Sequence, residues 1–92
     1  MYLEIISPET TLFSGEVKSL TLPGSDGRFQ LLENHAPIVS TLQSGVVKIK
    51  SSVNLSDAAK ALFETVGKDE FTYTITAGTV EMRDNKIILL SD

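Results

Sequence analysis

Apolar and polar residues alternate in short runs along this chain, and turn residues separate the runs. Tyr2–Ile6 reads as a first strand, closed by Ser7-Pro8, because proline cannot donate to a ladder. Thr11-Leu12-Phe13 followed by Ser14-Gly15 reads as a short strand and turn. In Val17–Leu22, Leu20 and Leu22 alternate with Ser19 and Thr21, while Val17 is out of phase, which predicts a bulge near Lys18. Pro23-Gly24-Ser25-Asp26-Gly27 is the strongest turn signal. Arg28–Leu32, Ile38–Leu42 and Val46–Lys50 resume strands, broken by Glu33–Pro37 and by Gln43-Ser44-Gly45. The last third has the cleanest period of two. Phe71, Tyr73 and Ile75 alternate with threonines, and Val80 and Met82 alternate with Glu81 and Arg83. Asp84-Asn85 predicts a two-residue hairpin loop, since both residues tolerate left-handed backbone. Ile87–Leu90 is apolar on both faces and predicts a central strand.

One segment breaks the pattern. Between Ser56 and Val66, Ala58, Ala59, Leu62, Phe63 and Val66 share one helical face, opposite Asp57, Lys60 and Glu64. Ser56 suits an N-cap and Gly67 a position just past the helix end. The spacing predicts a helix of about three turns packed by Leu62 and Phe63. Many short strands with one short helix argue for a small antiparallel sandwich or barrel.

Composition narrows the function classes. The 92 residues suffice for one domain, and 41% hydrophobic with 22% charged residues fits an ordered fold. No cysteine is present, which excludes disulfides and thiolate metal sites. The net charge of −4 and the scattered Lys and Arg offer no basic stripe for nucleic acid. Met1–Ile6 lacks the basic region of a signal peptide, and Ile87–Leu90 is far short of a membrane span. Membrane association is therefore expected only through another protein.

Catalytic chemistry finds little support. The single histidine, His35, lies in an irregular link with no nucleophile-elbow pattern. Its readings are a loop histidine satisfying a backbone group, an interface contact or, least supported, a catalytic base. The acidic residues are too dispersed for a metal site, and Gly24-Ser25-Asp26-Gly27 lacks the Lys and Ser/Thr of a phosphate loop. The residues alone describe an acidic β domain with no active site, suited to a structural or interaction role.

The order of the motifs goes further. Leu12-Phe13-Ser14-Gly15 precedes Leu22-Pro23-Gly24-Ser25-Asp26-Gly27, then His35-Ala36-Pro37, then Gly78-Thr79-Val80-Glu81-Met82, then Ile87–Asp92. This succession resembles the N-terminal domain of the epsilon subunits of F-type ATP synthases. The pattern runs without a gap over the first half and resumes near Phe71. The resemblance implies an all-β fold over residues 1–92: a ten-stranded antiparallel β-sandwich of two five-stranded sheets, with one short inserted helix at about residues 56–66. It implies a non-catalytic rotor subunit between the gamma subunit and the c-ring, peripheral on the cytoplasmic face of the bacterial inner membrane. Ser25, Asp26, Gly27 and Arg28 are then the expected c-ring contact, with His35 nearby. Ser7, Ala36, Pro37 and Ile38 are expected to face gamma. No cofactor is expected. The chain also looks like a short form without the family's C-terminal helices, so no ATP binding is expected. Arg28 departs from the family, where an acidic residue is common, and points to an acidic or neutral partner loop. Residues 51–70 replace a shorter hairpin. The alternatives are a β-sandwich interaction module unrelated to ATP synthase, and a small hydrolase built on His35.

Overall fold

The computed structural model describes residues 1–92. It contains ten strands: β1 (Tyr2–Ile6), β2 (Thr11–Glu16), β3 (Ser19–Gly24), β4 (Gly27–Leu32), β5 (Ile38–Leu42), β6 (Gly45–Lys50), β7 (Glu64–Gly67), β8 (Glu70–Ile75), β9 (Gly78–Arg83) and β10 (Lys86–Ser91). A single helix, α1 (Asp57–Lys60), lies between β6 and β7. The strands form two five-stranded layers. One runs β2-β1-β10-β9-β5, the other β4-β3-β6-β8-β7, and they touch in the ladder only where Gly24 of β3 pairs with Leu42 of β5. The expected sandwich is therefore present, with one correction to its antiparallel character. β1 and β10 pair in parallel, Tyr2 with Lys86 through Ile6 with Leu90. Tight turns force consecutive strands to run antiparallel. No turn joins β1 to β10, so nothing imposes that direction on them.

Alternation places the core. Leu3, Ile5, Val80, Met82, Ile87 and Leu89 face inward from the first layer, and Leu20, Leu22, Leu31, Val47 and Ile49 from the second. They belong to one cluster of 19 buried apolar residues. The bulge expected near Lys18 is present. The Lys18 amide donates to the Lys50 carbonyl, while Ser19 also pairs with Lys50, so two residues oppose one. Asp84 and Asn85 turn the β9–β10 hairpin with φ of 53° and 60°, the left-handed pair that a tight hairpin requires.

The helix expectation is corrected. α1 is one turn, capped by the Ser56 hydroxyl, which accepts from the Ala59 amide at 3.2 Å. The chain then tightens, with Leu62 and Phe63 amides both donating to Ala59 O, and becomes the edge strand β7 against β8. Gly67 ends a strand rather than a helix. Tertiary packing overrides the helical spacing here. Phe63 sits between Phe13 and Tyr73, at ring-centroid distances of 6.0 and 5.1 Å. β-Branched Thr65 and Val66 suit a ladder better than a short, marginal helix. Leu62 and Val66 are left half-exposed, each at 50%. Phe63→Ala is therefore expected to destabilise the fold by about 3 kcal/mol, and Leu62→Ala by well under ~1 kcal/mol. Urea unfolding of the two variants checks this. Equal losses would restore the longer helix.

Candidate functional site

The β3–β4 hairpin carries the first candidate surface. Its tip is Ser25-Asp26, between the paired Gly24 and Gly27, and Gly27 takes a φ of 124° that other residues rarely adopt. Four bonds fasten this tip. The Ser25 amide donates to Thr41 O at 3.1 Å, and the Ser25 and Thr41 hydroxyls lie 2.9 Å apart. The Gln43 amide donates to Pro23 O at 2.9 Å, and Arg28 donates through Nη1 to Val46 O at 2.9 Å. An exposed turn would ordinarily move easily. This one is tied to both layers. Asp26 and Arg28 stay exposed, and Arg28 makes no ion pair.

His35 lies elsewhere. The six residues of β4 separate it from the turn, about 17 Å of strand. At that far end the Asn34 amide donates to Asn85 Oδ1 at 2.6 Å, and Asn85 Nδ2 donates to Asn34 Oδ1 at 2.8 Å. His35 Nδ1 lies 2.8 Å from the Ala36 carbonyl, the only side-chain hydrogen bond it makes. The histidine satisfies a backbone group, with no carboxylate to orient it as a base. No cluster of three or more His, Asp or Glu side chains could hold a metal. The proximity expected between His35 and Ser25–Arg28 is therefore corrected: they occupy opposite ends of the sandwich.

The residues assigned to a second surface are also spread out. Ser7 follows β1, its hydroxyl donating to Thr10 O at 3.1 Å, at the end of the sheet where Ile6 meets Leu90. Ala36 and Pro37 precede β5 at the other end, where Ile38 meets Met82. Ile38 is partly buried and packs against the core. Between these corners lies a surface that the sequence reading missed. On the outer side of the first layer, Val39, Glu81, Ile88 and Glu4 form one cross-strand row, and Thr41, Thr79, Leu90 and Ile6 the next. Val39 is 77% exposed and Leu90 48%. Ile87–Leu90 is a central strand as expected, but its outward residues are not covered by this chain. The double-faced apolar run was the signal.

At the tip end, Asp92 closes the β8–β9 connection. Thr76 Oγ1 donates to Asp92 Oδ2 at 2.6 Å, and the Ala77 amide donates to Oδ1 at 3.1 Å. The Thr76 hydrogen bond, more than the backbone donors, holds the Asp92 carboxyl below its ordinary value of 3.8.

The two layers of strands define a small β-sandwich domain with exposed apolar rows on one outer face. The chain belongs to the family described as the beta-sandwich domain of the ATP synthase Delta/Epsilon chain, which it matches over residues 1–92. It is 37% identical over 90 residues to the ATP synthase epsilon chain of Leptospira borgpetersenii serovar Hardjo-bovis, covering 98% of this chain and 59% of that one. Against the ATP synthase epsilon chain of Chlorobium limicola it is 39% identical over 90 residues, covering 98% of this chain and 86% of the relative. The chain thus spans a little under two thirds of the Leptospira relative's length. Its fold resembles a chain in the central stalk/c-ring structure of the Tetrahymena thermophila mitochondrial ATP synthase. That match has a TM-score of 0.73 at 14% identity, covering 99% of this chain and 62% of that one. It also resembles a chain in the OSCP/F1/c-ring structure of the Euglena gracilis mitochondrial ATP synthase, with a TM-score of 0.72 at 18% identity, covering 97% of this chain and 48% of that one. No helix is long and apolar enough to cross a membrane.

The Asp92 contact gives a pH dependence. A lowered folded-state pKa contributes stability that is present above the ordinary carboxylate value and is lost as the pH falls through the lowered one. Thr76→Val should raise the Asp92 midpoint towards 3.8 and shrink that acid-side loss. Carboxyl NMR titration of both proteins measures the midpoint, and an unmoved midpoint would reject the contact.

Proposed function

We propose that this chain is a central-stalk rotor subunit of an F-type, proton-transporting ATP synthase. It ties the gamma subunit to the c-ring and helps couple ion flow to ATP synthesis, while catalysis resides in other subunits. The full-length match of residues 1–92 to the Delta/Epsilon β-sandwich family carries this reading. A coupling body must pass on force without deforming, and a closely packed two-layer core compresses little. The body is peripheral, at the cytoplasmic face of the bacterial inner membrane.

Two surfaces divide the work in this reading. The Ser25-Asp26-Gly27-Arg28 turn meets the polar loops of the c-ring. The outer rows of the first layer, with Ile6, Val39, Ile88 and Leu90, meet gamma. Ser7 and Pro37 border those rows at diagonally opposite corners, so one broad partner can span both, and His35-Ala36 falls on the same margin. Glu4 is already paired with Lys86 at 3.5 Å, whereas Glu81 has no cationic partner. The gamma surface should therefore offer apolar side chains and a cation opposite Glu81. A stable interface buries about 800 Å² per partner, so gamma would have to cover most of a face bounded by extents of 31 and 26 Å.

The test is binding of purified gamma, followed by the double variant Val39→Lys, Leu90→Lys. Lysine opposite Glu81 is tolerated in the free sandwich, so the unfolding midpoint should hold. Gamma affinity should fall at least about tenfold. Undiminished affinity would reject this face, and no gamma binding by the unaltered chain would overturn the function.

A further inference from the structure

We propose that Arg28 is a positioning residue for the Ser25–Gly27 turn rather than the bearer of its attractive charge; this rests on the turn being the c-ring contact proposed above. The β3–β6 register pairs Ser19 with Lys50, Leu20 with Ile49 and Thr21 with Lys48. The ladder ends at Thr21–Lys48, and Pro23 and Val46 each lie two residues past that last pair. A ladder extended that far would draw on an N–H at position 23, and proline has none. A sheet carbonyl without a donor is costly unless something replaces it. Pro23 is also wedged in place. A Cβ on Gly45 would come within 2.7 Å of the Pro23 Cβ, so strand and ring already touch.

Arg28 is the partner of Pro23 on its other side. Its guanidinium reaches across the proline and gives Val46 O the missing hydrogen bond at 2.9 Å. β4 is thereby fastened to β6, two strands away, at the root of the turn. With no carboxylate of this chain paired to it, the guanidinium's placement follows from this one carbonyl. A c-ring carboxylate that captured Arg28 would have to break the bond that holds the turn in shape. Of the acidic or neutral partner loops expected, this favours a neutral one that reads the shape of Ser25-Asp26-Gly27.

The test is a rescue. Arg28→Met keeps the aliphatic stem and removes the donors; Pro23→Ala restores a backbone N–H. Arg28→Met should shift the Val46 carbonyl carbon resonance and weaken binding to purified c-rings roughly two- to tenfold, by the same factor at low and high salt. Adding Pro23→Ala should return both towards the unaltered values. If Arg28 acts through its charge, the defect should fade in high salt and Pro23→Ala should rescue nothing; either result overturns the proposal. Should the Pro23→Ala variants not fold, an unmoved Val46 resonance in Arg28→Met alone overturns it. Failure of the unaltered protein to bind c-rings would instead sink the rotor reading, while the carbonyl measurement still decides whether Arg28 holds the turn.

Discussion

Two layers of strands share a core only if something prevents them from sliding over one another, and here that restraint is the passage of one strand between them. β5 belongs to the first layer and β6 to the second, and Gln43-Ser44 bend the chain from one to the other. The bend is locked against β3. Leu42 pairs with Gly24, the Gln43 amide donates to Pro23 O, and Gly45 fits against the Pro23 ring where no side chain could. Corners of sandwiches and barrels are built this way, by a strand that changes sheets at a bend. The rest of the architecture assumes this corner. Backbone hydrogen bonds join the two layers along it.

The corner also explains why the two proposed contact surfaces can act as one body. Ser25 in the turn is bonded to Thr41 by backbone and hydroxyl, and Thr41 stands in the outer row with Thr79, Leu90 and Ile6. A load applied to the turn therefore passes directly into the layer that carries the exposed apolar rows. Arg28 passes the rest of it into β6. Neither route crosses a flexible loop. A rotor part placed between two partners needs such short, hydrogen-bonded paths, because slack in a linker would absorb motion meant for the partner.

Much of this was legible in the residues. Asp84-Asn85 announced a turn because few other pairs accept two consecutive positive φ values. Val17, out of phase with Leu20 and Leu22, announced the Lys18 bulge because a period of two leaves no other way to bury all three. The helix was misjudged for a physical reason. The spacing at Ala59, Leu62 and Phe63 is helical, but the open edge of β8 and the gap between Phe13 and Tyr73 are tertiary features that local spacing does not contain. The separation of His35 from Ser25 could have been read. An extended Arg28–Leu32 already implies that its two ends lie far apart. The Arg28–Val46 bond could not, because it joins strands two apart in the layer and that order is a tertiary feature.

The segment after β6 completes the logic of a small sandwich. The corner closes one flank, and the opposite flank, between β2 and β8, would otherwise expose Phe13 and Tyr73. Residues 51–63 cross it. The Ser51 hydroxyl donates to Glu16 O at 2.6 Å and accepts from the Val53 amide, Val53 packs beside Gly15, and Phe63 fills the gap between the rings. A domain of this size buries too small a share of its surface to leave a flank open. The strap then continues into β7, a short strand with a register shift beside Thr65, and such irregular edges resist pairing with other chains. Leu32, Val46, Leu62 and Val66 also remain exposed, and scattered exposed apolar residues are ordinary for a surface. The paired rows around Val39 and Leu90 are different. The two rows adjoin on neighbouring strands of one layer, so the proposed partner would cover both together.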